Sequence, residues 1–369
     1  MRQCKSFFYI LFIALFSCEP LVTTFEDVEK AVLYEAKTFT TIPDPENALK
    51  VLSWNIRFGI GRLPFFGDSC GDRTVMTEKE VLNALELVAA EIDAIDPDII
   101  LLQEVDRESK RTQYIDQVQW LLDHTDMNYA AYASMWQAQT IPSDGIGRID
   151  AGNVVMTKHE IESAERIKLP LRTDQDPLTQ MFYLRRNVLK AKIAIPGQDN
   201  FYAVTVHATA FATDDTKQKH VDKFKKVLDE MVINGDVFVA GGDLNSVPPG
   251  AETDFCAETD FCDEDACADD VFHTDTDGGP HLEGSYFENF LNEPTLLQPL
   301  YDTYNTAISL IDAFGVDHNT HSTSEDRFWD RKLDYIFTNI NVASGSGITF
   351  QGAIELSDHA PVGCTIILE

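Results

Sequence analysis

Six stretches of this chain share one design: an apolar run that ends on a residue able to bind a metal ion or move a proton. In order they are Leu52-Ser53-Trp54-Asn55-Ile56-Arg57, Leu102-Gln103-Glu104-Val105, Val204-Thr205-Val206-His207-Ala208, Gly242-Asp243-Leu244-Asn245, Leu333-Asp334-Tyr335-Ile336 and Ser357-Asp358-His359-Ala360-Pro361. Short apolar runs are buried segments, so each of these polar residues is delivered from the end of one. Nearly all of them are Asn, Asp, Glu or His. Together they describe an oxygen-rich site for a hard cation, with two histidines beside it. A site so equipped can hydrolyse a phosphate ester.

The runs alternate with helical patterns. Thr77-x-x-Glu80 is a capping box, opening a helix whose apolar face is Val81, Leu85, Val88, Ile92 and Ile95; Asp96-Pro97-Asp98 stops it. Tyr114 to Leu122 reads as a second helix. A third, capped by Asp214 or Asp215, carries Val221, Phe224, Leu228 and Met231 and ends at Asn234-Gly235. Strands are expected at 51–56, 99–102, 152–156, 188–195, 201–207, 237–240, 335–338 and 362–368, with Pro196-Gly197 as a hairpin turn. Strands and helices alternate early and strands recur in pairs later, which favours a layered α/β domain with mixed sheets.

The chain has 369 residues, of which 44% are hydrophobic, enough for a sizeable core. Acidic residues outnumber basic ones 61 to 29, for a net charge of −32. Such a surface repels nucleic acid and anionic lipid at long range; it also keeps an exported protein soluble. Arg2 and Lys5 precede an apolar stretch from Phe7 to Phe16, too short for a comfortable membrane span. Leu15-Phe16-Ser17-Cys18 then resembles a bacterial lipoprotein signal, cleaved before Cys18, which would carry the lipid; an ordinary signal peptide or an uncleaved anchor are the alternatives. The expected organisation is a signal peptide over 1–17, a tether over 18–46, ordered at most in part, and one domain over 47–369. Export and lipid anchoring to a bacterial membrane follow from that reading, with the protein a monomer.

Within the domain, 248–284 is acidic, poor in aliphatics and contains Glu-Thr-Asp-Phe-Cys twice, at 252–256 and 258–262. It reads as a loop insertion with a tandem duplication. Asp275-Thr276-Asp277-Gly278 matches only part of a calcium loop. An oxidising compartment permits disulfides. Cys70, Cys256, Cys262, Cys267 and Cys364 are an odd number, and a local pair within 256–267 is plausible.

The motif set resembles the endonuclease/exonuclease/phosphatase superfamily, which includes secreted DNases, abasic-site endonucleases, sphingomyelinases and inositol-polyphosphate 5-phosphatases. Gly-Asp-Leu-Asn with Ser-Asp-His-Ala-Pro, and the Asn and Gln-Glu motifs upstream, carry the resemblance across about Leu49 to Leu368. It implies a four-layer sandwich, two mixed β-sheets face to face with helices outside, and a site at one edge. It implies Glu104 as principal ligand of Mg²⁺ or Mn²⁺, with Ca²⁺ as a further candidate, and Asn55 and Asp358 beside it. Asp243 would orient or deprotonate the attacking water, Asn245 would hold a phosphoryl oxygen, and His359 would pair with Asp334. His207 is similar to the family's second histidine. Which group is base and which is acid stays open, as does the number of metal ions.

Arg57, Arg148, Arg185 and Arg186 are candidates for holding substrate phosphate, because a planar guanidinium forks onto two oxygens. The expected activity is metal-dependent hydrolysis of phosphodiester or phosphomonoester bonds by in-line water attack. A phospholipid or inositol-phosphate substrate fits a tethered enzyme; an extracellular DNase-type nuclease is the alternative, with nucleic acid then a substrate. A surface-binding protein on a dead scaffold is disfavoured, because Glu104, Asp243 and His359 are all present.

Overall fold

In the computed structural model, residues 21–42, 47–66, 72–143, 145–210, 212, 214–251, 293–321, 329 and 331–368 are described. Fourteen strands among them, numbered in chain order, form two seven-stranded sheets. The first has the order β1 (Val28–Lys30), β7 (Ile161–Lys168), β8 (Asn187–Ile195), β9 (Gln198–His207), β10 (Val237–Asp243), β12 (Asp334–Thr338), β11 (Asn305–Thr306). The second runs β13 (Ile348–Thr349), β14 (Val362–Ile367), β3 (Ala48–Asn55), β4 (Ile99–Asp106), β6 (Gly147–Thr157), β5 (Tyr129–Ile141), β2 (Val32–Glu35). Only β3–β4 and β9–β10 pair in parallel. The mixed-sheet sandwich expected from the sequence is the observed fold.

Side chains alternate faces along a strand, and here each face has its own core. Leu49 and Val51 of β3, Ile99 and Leu101 of β4, Phe201 and Ala203 of β9, Val239 of β10 and Ile336 of β12 meet between the sheets. The intervening residues face outward. Leu52, Trp54, Ile100 and Leu102 pack under α1 (Glu78–Ile95) and α2 (Gln117–His124). Val204, Val206, Phe238 and Ala240 pack under α4 (Thr216–Asn234). A short α3 (Pro177–Phe182) and α5 (Gln298–Tyr301) complete the helices. The order is helix, sheet, sheet, helix. Among the described residues no helix is long and apolar enough to cross a membrane.

Local signals behave as their chemistry demands. Thr77 and Glu80 form the reciprocal capping box of α1. Asp96 ends that helix in the left-handed region. Gly235 closes α4 at φ 77°, and at its start the Asp214 carboxylate, rather than Asp215, accepts from Thr216 N at 2.9 Å.

Two expectations are corrected. The helix predicted over 114–122 begins at Gln117, because Asp116 caps it and Tyr114 sits at φ 60°, outside helical space. The tether over 18–46 is, in its described part, built into the fold: β1 pairs with β7 and β2 with β5. These strands bury little, with Val28, Val32 and Leu33 about half exposed, so backbone hydrogen bonds rather than apolar patterning hold them. The signal segment, the repeats, the partial calcium loop and Cys70, Cys256, Cys262 and Cys267 lie outside the described residues. Cys364 is buried as a free thiol, and burial pushes its pKa up to about 12.

Close approach demands glycine next to the site. Gly242 on β10 has φ +137°, and a Cβ there would lie 2.0 Å from Val206 O. Gly242→Ala must therefore push β10 off β9, and we expect it to cost roughly 3 kcal/mol or more, read from the midpoint of urea unfolding. A loss below 1 kcal/mol would show that this contact yields easily.

Candidate active site

Followed towards one edge, the layer between the sheets turns from apolar to polar. On β9 the inward row is Phe201, Ala203, Thr205, His207; on β10 it is Val239, Gly241, Asp243; on β12 Ile336 is followed by Asp334. The register makes Asp243 the Cα partner of His207 on one side and of Asp334 on the other. Three reactive side chains thus occupy one rung of the first sheet. Asn55 ends the inward row of β3 on the opposing sheet.

Glu104 breaks the alternation. Gln103 is the inward residue of its strand and donates to Thr205 Oγ1 at 2.8 Å. Glu104 should then face the helices. A β-bulge between Leu102 and Val105 and a φ of 56° at Glu104 turn it instead towards His207, whose Nε2 lies 3.8 Å from Glu104 Oε1. Bulges re-aim side chains in this way, and left-handed backbone at a non-glycine residue is strain that the surroundings must hold.

The centre of the site is Asp243. Its Oδ2 accepts from Asn55 Nδ2 and Asn245 Nδ2, both at 3.2 Å, and its Oδ1 from Asn245 N at 2.9 Å. His207 Nε2 is 3.2 Å and His359 Nε2 3.6 Å from Asp243 Oδ2. His359 Nδ1 bonds Asp334 Oδ2 at 2.8 Å. Asp358 lies beside Arg57, with Nε to Oδ2 at 3.6 Å. Ser357 Oγ donates to Asn55 O at 2.7 Å and so joins this motif to the end of β3.

Environment separates the charges. Burial alone would lower the pKa of His359, but the surrounding Asp334, Asp243 and Asp358 carboxylates lift it to about 10. His207 is pushed well below the usual value by burial and by the Arg186 and His359 charges. One histidine is therefore imidazolium and the other neutral at physiological pH. Burial and the Asp334 charge raise Asp243 to about 7 although His359 opposes them. Burial, reinforced by Asp358, also raises Glu104. Asp358 falls to about 2, because His359 and Arg57 outweigh its burial.

The arginines divide. Arg186 is buried with Nη1 at 3.4 Å from His207 O, and its charge acts on Glu104, His207 and Asp243. Arg57 is also at the site. Arg148 pairs with Glu108 at 3.0 Å, and Arg185 donates to Met181 O at 3.2 Å, so both guanidiniums are engaged elsewhere. His321 was not among the expected residues. Its ring lies 4.4 Å from that of His359, and its Nδ1 is 3.0 Å from Asp358 O. It follows no apolar run, so only the isolated β-bridge to His359 reveals it.

Glu104 and Asp358 are partly exposed acids close enough for their charges to act on each other, and carboxylate oxygens of this kind suit a hard divalent cation. Among the described residues, two groups have ligand atoms within 4.8 Å of one another: His321, Asp358, His359 and Asp243, Asp334, His359. In the second, the 2.8 Å hydrogen bond already joins His359 to Asp334, which makes them a dyad rather than ligands.

The dyad has a stability signature. His359 is raised from 6.5 when unfolded to about 10 when folded. Its stabilisation is complete below pH about 6.5 and is lost as pH rises through about 10. In chelator-treated protein, Asp334→Asn should therefore lower the urea midpoint most at pH 6 and progressively less towards pH 10. A deficit that is flat with pH would reject the dyad.

The comparisons agree with this geometry. The sequence profile described as "Endonuclease/Exonuclease/phosphatase family" matches residues 52–359. No curated protein matches the chain. Among solved structures, an endonuclease/exonuclease/phosphatase from Beutenbergia cavernae is 16% identical, with 88% of this chain and 72% of that one covered and a TM-score of 0.56. A family protein from Bacteroides vulgatus is 14% identical (88% and 100% covered, TM-score 0.49), and the human Nocturnin catalytic domain with bound sulfate is 15% identical (91% and 96% covered, TM-score 0.49). With the profile spanning most of the chain, and the residues of all six motifs lying at one edge of the sandwich, the protein belongs to the endonuclease/exonuclease/phosphatase family.

Proposed function

We propose that this protein is a phosphoric ester hydrolase that uses a divalent cation, Mg²⁺ or Mn²⁺, and in-line attack by water. The observation that carries the reading is the rung His207–Asp243–Asp334 with His359, in which neighbouring groups hold opposite protonation states. That is how one site supplies both an acid and a base near pH 7.

Asp243 is the base. Its raised pKa makes the carboxylate a competent proton acceptor, and Asn55 and Asn245 fix its oxygens. The proton leaves the attacking water for Asp243 Oδ2 as the water oxygen bonds phosphorus. His359, locked through Nδ1 by Asp334, presents Nε2–H to the phosphoryl oxygens as charge builds on them. Neutral His207 shares its Nε2 proton with Asp243 and lines the same space. Arg186 and Arg57 bring positive charge to the phosphate. Glu104, Asn55 and Asp358 would hold the cation, which when bound neutralises phosphoryl and leaving-group charge.

The acidic surface supports small phosphoesters over duplex nucleic acid, and the inferred membrane tether would bring lipid-borne ones within reach. The deciding experiment is a panel of aryl phosphodiesters, sphingomyelin, phosphatidylinositol, inositol phosphates, DNA and RNA with Mg²⁺, Mn²⁺ and Ca²⁺. Chelation should abolish turnover, and Mg²⁺ or Mn²⁺ should restore it. Glu104→Gln should raise the cation concentration needed, with little change in stability. Asp243→Asn, His359→Ala and His207→Ala should each lower kcat by roughly 10² to 10⁴, and double variants should lose far less than the product of single losses. Full activity in excess chelator, or a folded His359→Ala protein with ordinary rates, would overturn the proposal.

We also infer export with a lipid on Cys18, supported by Leu15-Phe16-Ser17-Cys18 behind an apolar stretch. Cys18→Ala should stop incorporation of labelled palmitate and block removal of the signal segment. Unchanged labelling would refute the anchor.

A further inference from the structure

Among the buried ion pairs outside the site described above, one reaches the loop that carries Asp243 and Asn245. Lys217, in the first turn of α4, meets Glu293 with Nζ to Oε2 at 2.8 Å. Their side chains are 3% and 1% exposed. Two charges are rarely taken so far from water for stability alone: removing them from solvent costs about what their attraction returns, and apolar replacements are often neutral. The other oxygen of Glu293 shows what the pair holds. Oε1 accepts from Val247 N at 2.9 Å.

Val247 is two residues past Asn245, in the loop that leaves β10 at Asp243. That loop carries strain at its functional residue, since Asn245 has φ 49°. It is tied at several points. Leu244 N donates to Leu333 O at 3.0 Å, Asn245 Nδ2 to Ala208 O at 3.1 Å, and Tyr335 Oη to Ser246 O at 2.7 Å. Each tie runs to a segment bearing another site residue, Asp334 or His207. The tie at Val247 is the exception, because it runs to a carboxylate whose charge must itself be cancelled. Lys217 cancels it from the helix that follows the His207 loop, and the Asp243 charge in turn acts on Lys217. The pair thus joins the Asp243–Asn245 loop to α4.

We propose that Lys217 and Glu293 are positioning residues: together they hold Val247 N–H and so keep the Asp243–Asn245 loop in its strained, reactive form. Neither touches the reacting phosphate. The inference rests on the hydrolase reading for its kinetic consequence but not for its structural one.

The test uses the full chain with two readouts, amide hydrogen exchange and Mg²⁺-supported hydrolysis of bis(p-nitrophenyl) phosphate. Lys217→Met and Glu293→Leu should each speed exchange across 243–249 by about tenfold or more, while β9 and β12 stay protected. They should lower kcat by roughly 10 to 100-fold, with KM changed by less than about threefold. Lys217→Met/Glu293→Gln removes both charges of the pair and keeps an amide oxygen for Val247 N–H. It should return both readouts to within about threefold of wild type, a rescue that a merely structural pair does not demand. If the single variants fail to fold, Lys217→Met/Glu293→Gln is compared with Lys217→Met/Glu293→Leu, which lacks the acceptor; faster exchange at 243–249 only in the latter supports the proposal. Unchanged exchange at 243–249 in the folded variants overturns it. Wild-type protein without activity on any phosphoester would sink the hydrolase reading, while the exchange readout still decides the clamp.

Discussion

Four carboxylates, the buried Asp243 and Asp334 and the partly exposed Glu104 and Asp358, share one corner, and much of the surrounding structure answers to their charge. Like charges in low dielectric raise one another's pKa until something compensates. Here the compensation is uneven. Asp358 has Arg57 and His359 and stays strongly acidic. Asp334 has the His359 proton at 2.8 Å. Asp243 has three amide N–H donors and shares the His359 charge, whose Nε2 is 3.6 Å away, yet burial still raises it; Glu104 is raised by burial and by Asp358 although Arg111, His359 and Arg186 oppose the shift. The deficit falls on Asp243 and Glu104, the two acids to which the proposed hydrolysis assigns the parts of base and ligand. A divalent cation and a phosphate with its water are the groups that would close it. The same imbalance makes His359 a charged donor and leaves His207 neutral, so the acid–base division follows from burial and neighbours rather than from residue type.

How much of this could be read beforehand depends on how each residue is delivered. Asn55, His207 and Asp243 end inward-facing rows that begin on apolar residues, and Asp334 opens the row that continues into Ile336, so period-two patterning marks them as polar groups at the edge of a core. The capping box of α1, the Pro196-Gly197 turn and the apolar face of α4 were legible for similarly local reasons. Glu104 was legible only as the end of an apolar run. Its facing depends on the bulge at 103–104, and a bulge has no signal in patterning. His321 follows a polar stretch and reaches the site through a single bridge to His359. Among the arginines, residue type could not tell Arg186, buried against His207, from Arg148, which pairs with Glu108. The strands β1 and β2 escaped because edge strands with exposed valines carry no buried alternation, and β5 because alanine, which dominates it, is a poor strand signal.

The two sheets contribute different halves of the chemistry. His207, Asp243 and Asp334 lie in one rung of three adjacent strands, so backbone ladders fix their spacing. Asn55 and Glu104 come from the opposing sheet, and Asp358 and His359 from the loop before β14. Trp54 Nε1 bonds His359 O at 2.8 Å and Ser357 bonds the end of β3, so that loop rides with the second sheet. The His207–Asp243–Asp334 rung and the side that carries Asn55, Glu104 and Asp358 therefore belong to different sheets, and the hydrogen bond from Asn55 to Asp243 is one of the few polar links across the seam.

Their relative position is then a property of the core between the sheets, where Phe201, Val239 and Ile336 face Leu49, Val51 and Leu101. Protein interiors are close-packed, and a truncated core side chain is only partly compensated by relaxation. In this layer such relaxation would slide one half of the site against the other. Near-attack geometry tolerates little, since about 1 Å of displacement can cost roughly 10²-fold in rate. The inter-sheet residues, although they touch no substrate, are the ones whose packing sets the distance between the base and the cation-binding acids. The outer cores under α1 and α4 carry no such burden, because each lies behind a single sheet.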